Sequence, residues 1–95
     1  MGSQKCYITQ IKDQQFTIDI SDLSNTTYIT VCGACGGNYL NERHTVSTVK
    51  TWTSISQHYM NIYAYGHIYL YYSNGKLVVR GDGSVTVEFS LIIND

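Results

Sequence analysis

The dipeptide Asn74-Gly75, set between the alternating runs HIYLYY (67–72) and KLVV (76–79), constrains this chain more than any other feature. Asn followed by Gly most readily takes the two positive-φ positions of a type I′ turn, whose twist matches that of the strands it joins. A two-residue loop there sets Tyr72 opposite Leu77, Tyr71 opposite Val78, Leu70 opposite Val79 and Tyr69 opposite Arg80. Ile68, Leu70, Tyr72, Leu77 and Val79 then make an apolar face, with Tyr69, Tyr71, Val78 and Arg80 on the reverse. A third run, SVTVEFSLII (84–93), follows Gly81-Asp82-Gly83. A three-residue loop with Gly83 as a G1 bulge sets Val85 opposite Val79 and Val87 opposite Leu77, and carries the apolar face on through Phe89 and Leu91. A two-residue loop would put Glu88 and Thr86 on that face instead. The expectation is a C-terminal three-stranded antiparallel meander.

The preceding residues read as further short strands. Alternation predicts strands over 6–11, 16–20 and 26–32, with Lys12-Asp13-Gln14-Gln15 as a hairpin loop and 21–25 as a turn of short polar side chains. Residues 33–41 read as Gly-rich and irregular. Over 44–65 two patterns compete. Trp52, Ile55, Tyr59 and Ile62 sit at helical spacing, yet the density of Thr, Ser, Val, Ile and Tyr suits a pleated sheet better. Two strands, 45–53 and 57–65, are preferred to a helix over 50–62. The fold expected is a single all-β domain over 1–95, an antiparallel β-sandwich or small barrel of jelly-roll or immunoglobulin-like shape with seven to eight short strands.

Composition narrows the function classes. Charged residues are only 14% of the chain and the net charge is −1, so the clustered Lys and Arg of a nucleic-acid footprint are missing. No apolar run approaches the roughly 20 residues of a membrane-spanning helix, and the N-terminal MGSQKCYITQ lacks a signal-peptide core, so neither a membrane nor export is expected. Synthesis in the cytoplasm follows from that reading. Nine tyrosines with abundant Thr, Ser and Asn make a surface of hydroxyls and amides. The chain has no Pro, a residue that often blunts open sheet edges. An unprotected edge favours self-association.

Four constellations bear on chemistry. Cys32-Gly33-Ala34-Cys35-Gly36 resembles a zinc knuckle, which implies two thiolate ligands completed from Cys6, His44, His58 or His67. The second C-x-x-C or H-x-H pair of such sites is missing. A strand ending in a glycine-rich turn with reduced thiols is therefore preferred, and no metal or cofactor is expected. Arg80-Gly81-Asp82 resembles the integrin-recognition tripeptide displayed at a hairpin tip, but the bulged turn already accounts for its glycine. Tyr63, Tyr65, Tyr69 and Tyr71 alternate with apolar residues, so a tyrosine ladder could cross two neighbouring strands, with Arg80 stacking on Tyr69. The competing reading makes these rings half-buried core. Finally, His44, His58 and His67 accompany no nucleophile elbow, phosphate loop or carboxylate pair, so no catalytic residues are expected.

These readings predict a non-enzymatic structural or interaction domain that self-associates or docks onto a larger assembly, in the manner of phage or viral decoration, fibre or tail domains and so a virion component. The binding surface would be Tyr63, Tyr65, Tyr69, Tyr71 and Arg80. One competitor is a carbohydrate-binding module or lectin that places the same tyrosines, with Trp52 and nearby Asn residues, against a glycan. Another is a small intracellular inhibitor that covers a partner protein.

Overall fold

The computed structural model describes residues 4–94. Eight strands form in chain order: β1 (Gln4–Ile11), β2 (Gln15–Asp19), β3 (Tyr28–Cys35), β4 (Asn38–Thr45), β5 (His58–Tyr63), β6 (Gly66–Ser73), β7 (Lys76–Gly83) and β8 (Val87–Asn94). One helical turn, α1 (Val46–Val49), lies between β4 and β5. The strands make two four-stranded antiparallel sheets, ordered β1-β8-β3-β4 and β2-β7-β6-β5. Packed face to face they give the antiparallel β-sandwich that the alternation implies.

The Asn74-Gly75 hairpin has the expected register. Tyr72 pairs with Leu77, Tyr71 with Val78, Leu70 with Val79 and Tyr69 with Arg80, and both turn residues have positive φ, 50° and 80°. Ile68, Leu70, Leu77 and Val79 are buried on the inner face. A three-stranded meander is present in the C-terminal half, but its strands are β5, β6 and β7. The run 84–93 does not continue it: β8 crosses to the other sheet and pairs with β1 and β3. The Val79–Val85 and Leu77–Val87 pairings are thereby overturned. β7 finds its second neighbour in β2, with Thr17 opposite Val78 and Ile18 opposite Leu77.

The reason is the need for a second layer. A single sheet cannot bury its apolar face, and each aliphatic side chain taken out of water contributes roughly 1.5–3 kcal/mol. Crossing over lets Val87, Phe89, Leu91 and Ile93 bury fully against the inner faces of β6 and β7. Gly81 serves that packing and no turn. A Cβ there would stand 2.8 Å from Ile11 Cγ1, so a side chain would push the two sheets apart where β1 hands over to β2. For the same reason the expected hairpin loop 12–15 is a sheet-to-sheet connection over 12–14 with Gln15 opening β2, since β1 and β2 belong to different sheets. Arg80-Gly81-Asp82 accordingly lies within β7 and not at a tip.

Two further segments differ from expectation. Residues 33–41 are not irregular: β3 and β4 form a hairpin closed by Gly36-Gly37, whose φ values of 57° and 80° suit glycine. Residues 45–53 are neither strand nor long helix. Thr45 caps α1 by accepting the Thr48 N–H at 3.3 Å, and Val46 and Val49 anchor the turn in the core. A turn through 50–56 then delivers Trp52, whose carbonyl accepts the Tyr72 N–H at 2.9 Å. The second expected strand, 57–65, is realised as β5.

Candidate functional site

Two groups of polar and aromatic side chains stand out, and strand parity separates them. On each strand alternate residues face the core or the solvent. The outward residues of the β2-β7-β6-β5 sheet make the first group, and the inward residues at the β4–β5 rim make the second.

On the outer face, Tyr59 pairs with Tyr69 across β5 and β6, and Tyr69 with Arg80 across β6 and β7. The Tyr59 and Tyr69 rings lie 4.9 Å apart, and the Arg80 guanidinium covers the Tyr69 ring at 4.4 Å. One residue pair further on, Asn61 faces His67 and His67 faces Asp82. His67 Nδ1 lies 3.1 Å from the Tyr59 hydroxyl and 3.1 Å from Asn61 Oδ1. Arg80 and Asp82 stand at 3.8 Å. Desolvation, then the Tyr69 phenol and the Asp82 carboxylate, hold the Tyr59 hydroxyl above its ordinary pKa. Tyr71 continues the face beside Val78. This face offers rings, an amide, an imidazole and a balanced charge pair on a flat surface.

The expected surface is thus partly assembled. Tyr69 and Arg80 come together, Tyr71 is half-buried against the core cluster, and Tyr63 and Tyr65 do not join them. The register shifts between Asn61 and Tyr63, so Tyr63 pairs with Gly66 and leaves the outward row. Its ring packs at the Gly36 turn of the opposite sheet. Tyr65 lies in the loop that follows, 58% exposed, with its ring 5.6 Å from that of Tyr63. Sequence reasoning missed Tyr59, Asn61 and His67. Tyr59 was hidden because helical spacing grouped it with Trp52, while its alternation with Met60 and His58 marks it as outward.

At the rim, β4 and β5 are the edge strands of their sheets and approach each other across the sandwich. The inward row of β4 runs Leu40, Glu42, His44, and that of β5 runs His58, Met60, Ile62. His44 Nε2 lies 2.9 Å from Glu42 Oε1 and His58 Nε2 lies 2.5 Å from the same oxygen. Trp52, 8% exposed, stacks on His58 at 4.2 Å and 9° and meets His44 edge-on at 4.9 Å. Burial alone would raise the Glu42 pKa, but hydrogen bonds from His44 and His58, and their charge when protonated, hold it below the usual carboxylate value. The signal was in the sequence: Glu42 and His44 keep the parity of Leu40, and His58 that of Met60 and Ile62.

The thiol arrangement that resembled a zinc knuckle does not form. Cys32 and Cys35 are three residues apart in one straight strand, so Cys35 is buried in the core while Cys32 faces outward. One ion cannot take both. The side chain of Cys6 lies outside the described residues. Of the histidines available to complete it, His44 and His58 meet at Glu42 and His67 lies between Tyr59 and Asn61.

The outer face of the β1-β8-β3-β4 sheet differs again. Cys32, Ala34, Tyr39, Asn41, Glu88 and Ser90 line a shallow depression of about 320 Å³, with Tyr39 projecting 79% exposed.

Fold and side chains together define a two-layer antiparallel β-sandwich with a polar rim and aromatic residues on both outer faces, Tyr59 and Tyr69 with Arg80 on one, Tyr39 and Tyr28 with Arg43 over its ring at 3.7 Å on the other. Comparison with protein-family models, curated proteins and solved structures finds no match for this chain.

Proposed function

We propose that this chain is a non-catalytic interaction domain that pairs with a second copy of itself through the outer face of the β2-β7-β6-β5 sheet. The observation that carries this reading is Arg80 stacked on Tyr69, with Tyr59 beside them. Tyr and Arg are the residue types that concentrate binding energy at protein interfaces, since they bury large area at modest cost in rotamer freedom. The charges favour a second copy. Arg80 and Asp82 lie two residues apart on β7, so a two-fold axis between them brings each copy's guanidinium to the other's carboxylate. The molecule measures 38 × 29 × 17 Å, and a broad face of that size accommodates the ~800 Å² per partner of a standard interface.

Sedimentation equilibrium over a concentration series tests the reading. A mass of twice the 10.7 kDa chain is expected, shifting to a monomer for Tyr69→Ala and Arg80→Ser. A wild-type monomer at every concentration, or a dimer indifferent to both variants, contradicts it.

Carbohydrate binding is a second reading, favoured by the Asn61, His67 and Asp82 fringe around the 44%-exposed Tyr59 ring. It ranks lower because Arg80 already occupies the Tyr69 ring that a sugar would stack on. Glycan-array binding that disappears in Tyr59→Ala, together with a monomeric wild type, would reverse that order.

A further inference from the structure

Inward rows of a sandwich normally carry aliphatic side chains, as Met60, Ile62, Ile29 and Val31 do here. Glu42 and His44 occupy such positions opposite Val31 and Ile29, and His58 opposite Leu70. Three groups costly to desolvate have been placed where the sheets meet, so their pairing must offset that cost. Both imidazoles meet one carboxylate oxygen, whose two lone pairs can accept from both, so three potential ligand atoms converge on a single point.

We propose that Glu42 Oε1, His44 Nε2 and His58 Nε2 bind one zinc-like divalent transition ion, with a fourth position open to solvent. The three atoms lie within 4.8 Å of one another. Tetrahedral zinc with bonds of ~2.0–2.1 Å places its ligand atoms about 3.3 Å apart. The Glu42–His44 and Glu42–His58 separations of 2.9 and 2.5 Å therefore widen by less than ~1 Å on entry. With side chains 20–26% exposed, torsional adjustment suffices and the ion has a path from solvent. Each imidazole binds the ion through a bare Nε2 as its Nδ1–H tautomer. A neutral ring now protonated on Nε2 reaches that tautomer by exchanging the proton with water for one on Nδ1, and an imidazolium reaches it by losing its Nε2 proton. Any proton now lying between Nε2 and Oε1 leaves to water.

Ligand chemistry sets the class of ion. Two imidazoles and a carboxylate, without thiolate, suit zinc and its first-row neighbours better than calcium or magnesium, which prefer all-oxygen shells. Trp52 stacks on one ring and meets the other edge-on, which restricts both to orientations that aim Nε2 at the shared point. The ion would join β4 to β5, two edge strands that share no hydrogen-bond ladder. It would act as a clip across the open rim.

The test uses the full chain, stripped with chelator and then dialysed against zinc chloride. One equivalent of zinc is expected by elemental analysis, with a rise in melting temperature. A change in fluorescence should accompany it, since Trp52 is the chain's one tryptophan. His44→Gln and His58→Gln keep an N–H for Glu42 and so preserve the fold, yet lower zinc affinity by at least ~tenfold. A Cys6→Ser, Cys32→Ser double variant keeps full affinity. Cobalt in place of zinc should show ligand-field bands without thiolate-to-metal charge transfer. Substoichiometric zinc in the wild type overturns the proposal. So does binding that survives both Gln variants or depends on the cysteines.

Discussion

His67 and the pair His44 and His58 belong to one small sandwich, on β6, β4 and β5 respectively, and meet opposite circumstances. His67 points outward, tilted 46° to the Tyr59 ring, and its partners Tyr59, Asn61 and Asp82 are spread along the sheet. His44 and His58 point inward at a rim, where two strands of different sheets aim their rings at one oxygen of Glu42. The residue types on the two surfaces are alike, each holding imidazole, carboxylate and aromatic ring. What differs is curvature. A flat array matches another extended surface, whereas a convergent one matches something the size of an ion. Strand parity, a property of single positions in the sequence, assigns each histidine to one or the other.

The sharpest way to break this contrast is to remove the ring that shapes the rim. Trp52→Ala should lower stability by about 3–5 kcal/mol, the usual cost of deleting a buried aromatic, while His67→Ala on the flat face stays within about 0.5 kcal/mol. Urea unfolding of the two variants checks this, and equal losses would show that the rim is no more organised than the face. The next effect runs the other way. Tyr69→Ala should weaken self-association by about 2 kcal/mol, as central interface residues do, with little change in the stability of the folded chain. Concentration-dependent sedimentation alongside urea unfolding separates the two quantities.

Glu42→Gln in metal-free protein sharpens the comparison at smaller scale. Neutralising the shared acceptor should destabilise by about 1 kcal/mol, discounted from the range for charged hydrogen bonds because the carboxylate is partly exposed. Asp82→Asn, an exposed ion pair, should fall below that. The smallest effect depends on pH. Hydrogen bonds from the Ser21 hydroxyl and N–H, with Lys76 nearby, lower the Asp19 pKa. A depressed carboxylate stabilises the fold above its unfolded pKa of about 3.9, and that contribution fades as pH falls through the folded value. Asp19→Asn should thus lower the neutral plateau slightly, leave stability below the folded pKa nearly unchanged, and so flatten the acid limb of the profile. A steeper acid limb in the variant would contradict the assignment.

Much of this architecture could be read from the chain. The Asn74-Gly75 hairpin was legible to the residue pair, because turn chemistry and alternation agree there. The β8 crossover was not, since Gly81-Asp82-Gly83 is equally good turn chemistry. Only the need for an opposing layer, and the close approach of Ile11 to Gly81, decides against it. The same limit hid the β3–β4 hairpin: Gly33 to Gly37 looks irregular until Gly33 is seen to face Ile62 across the core. In the aromatic surface, Tyr69 and Arg80 followed from parity, while the register shift that removes Tyr63 leaves no mark in composition. The rim cluster joins residues sixteen apart, Glu42 and His58, through a sheet-to-sheet connection. Local pattern could mark each as inward-facing but could not bring them together.

The claim that the outer face of Tyr59 and Tyr69 is where this domain meets its partner is tested most directly by comparing ¹⁵N–¹H spectra of dilute and concentrated protein. Concentration-dependent shifts are predicted at Tyr59, Asn61, His67, Tyr69, Tyr71, Arg80 and Asp82, with Cys32, Tyr39 and Ser90 on the opposite face unmoved. Shifts confined to that opposite face, or spectra identical at both concentrations, would contradict the account.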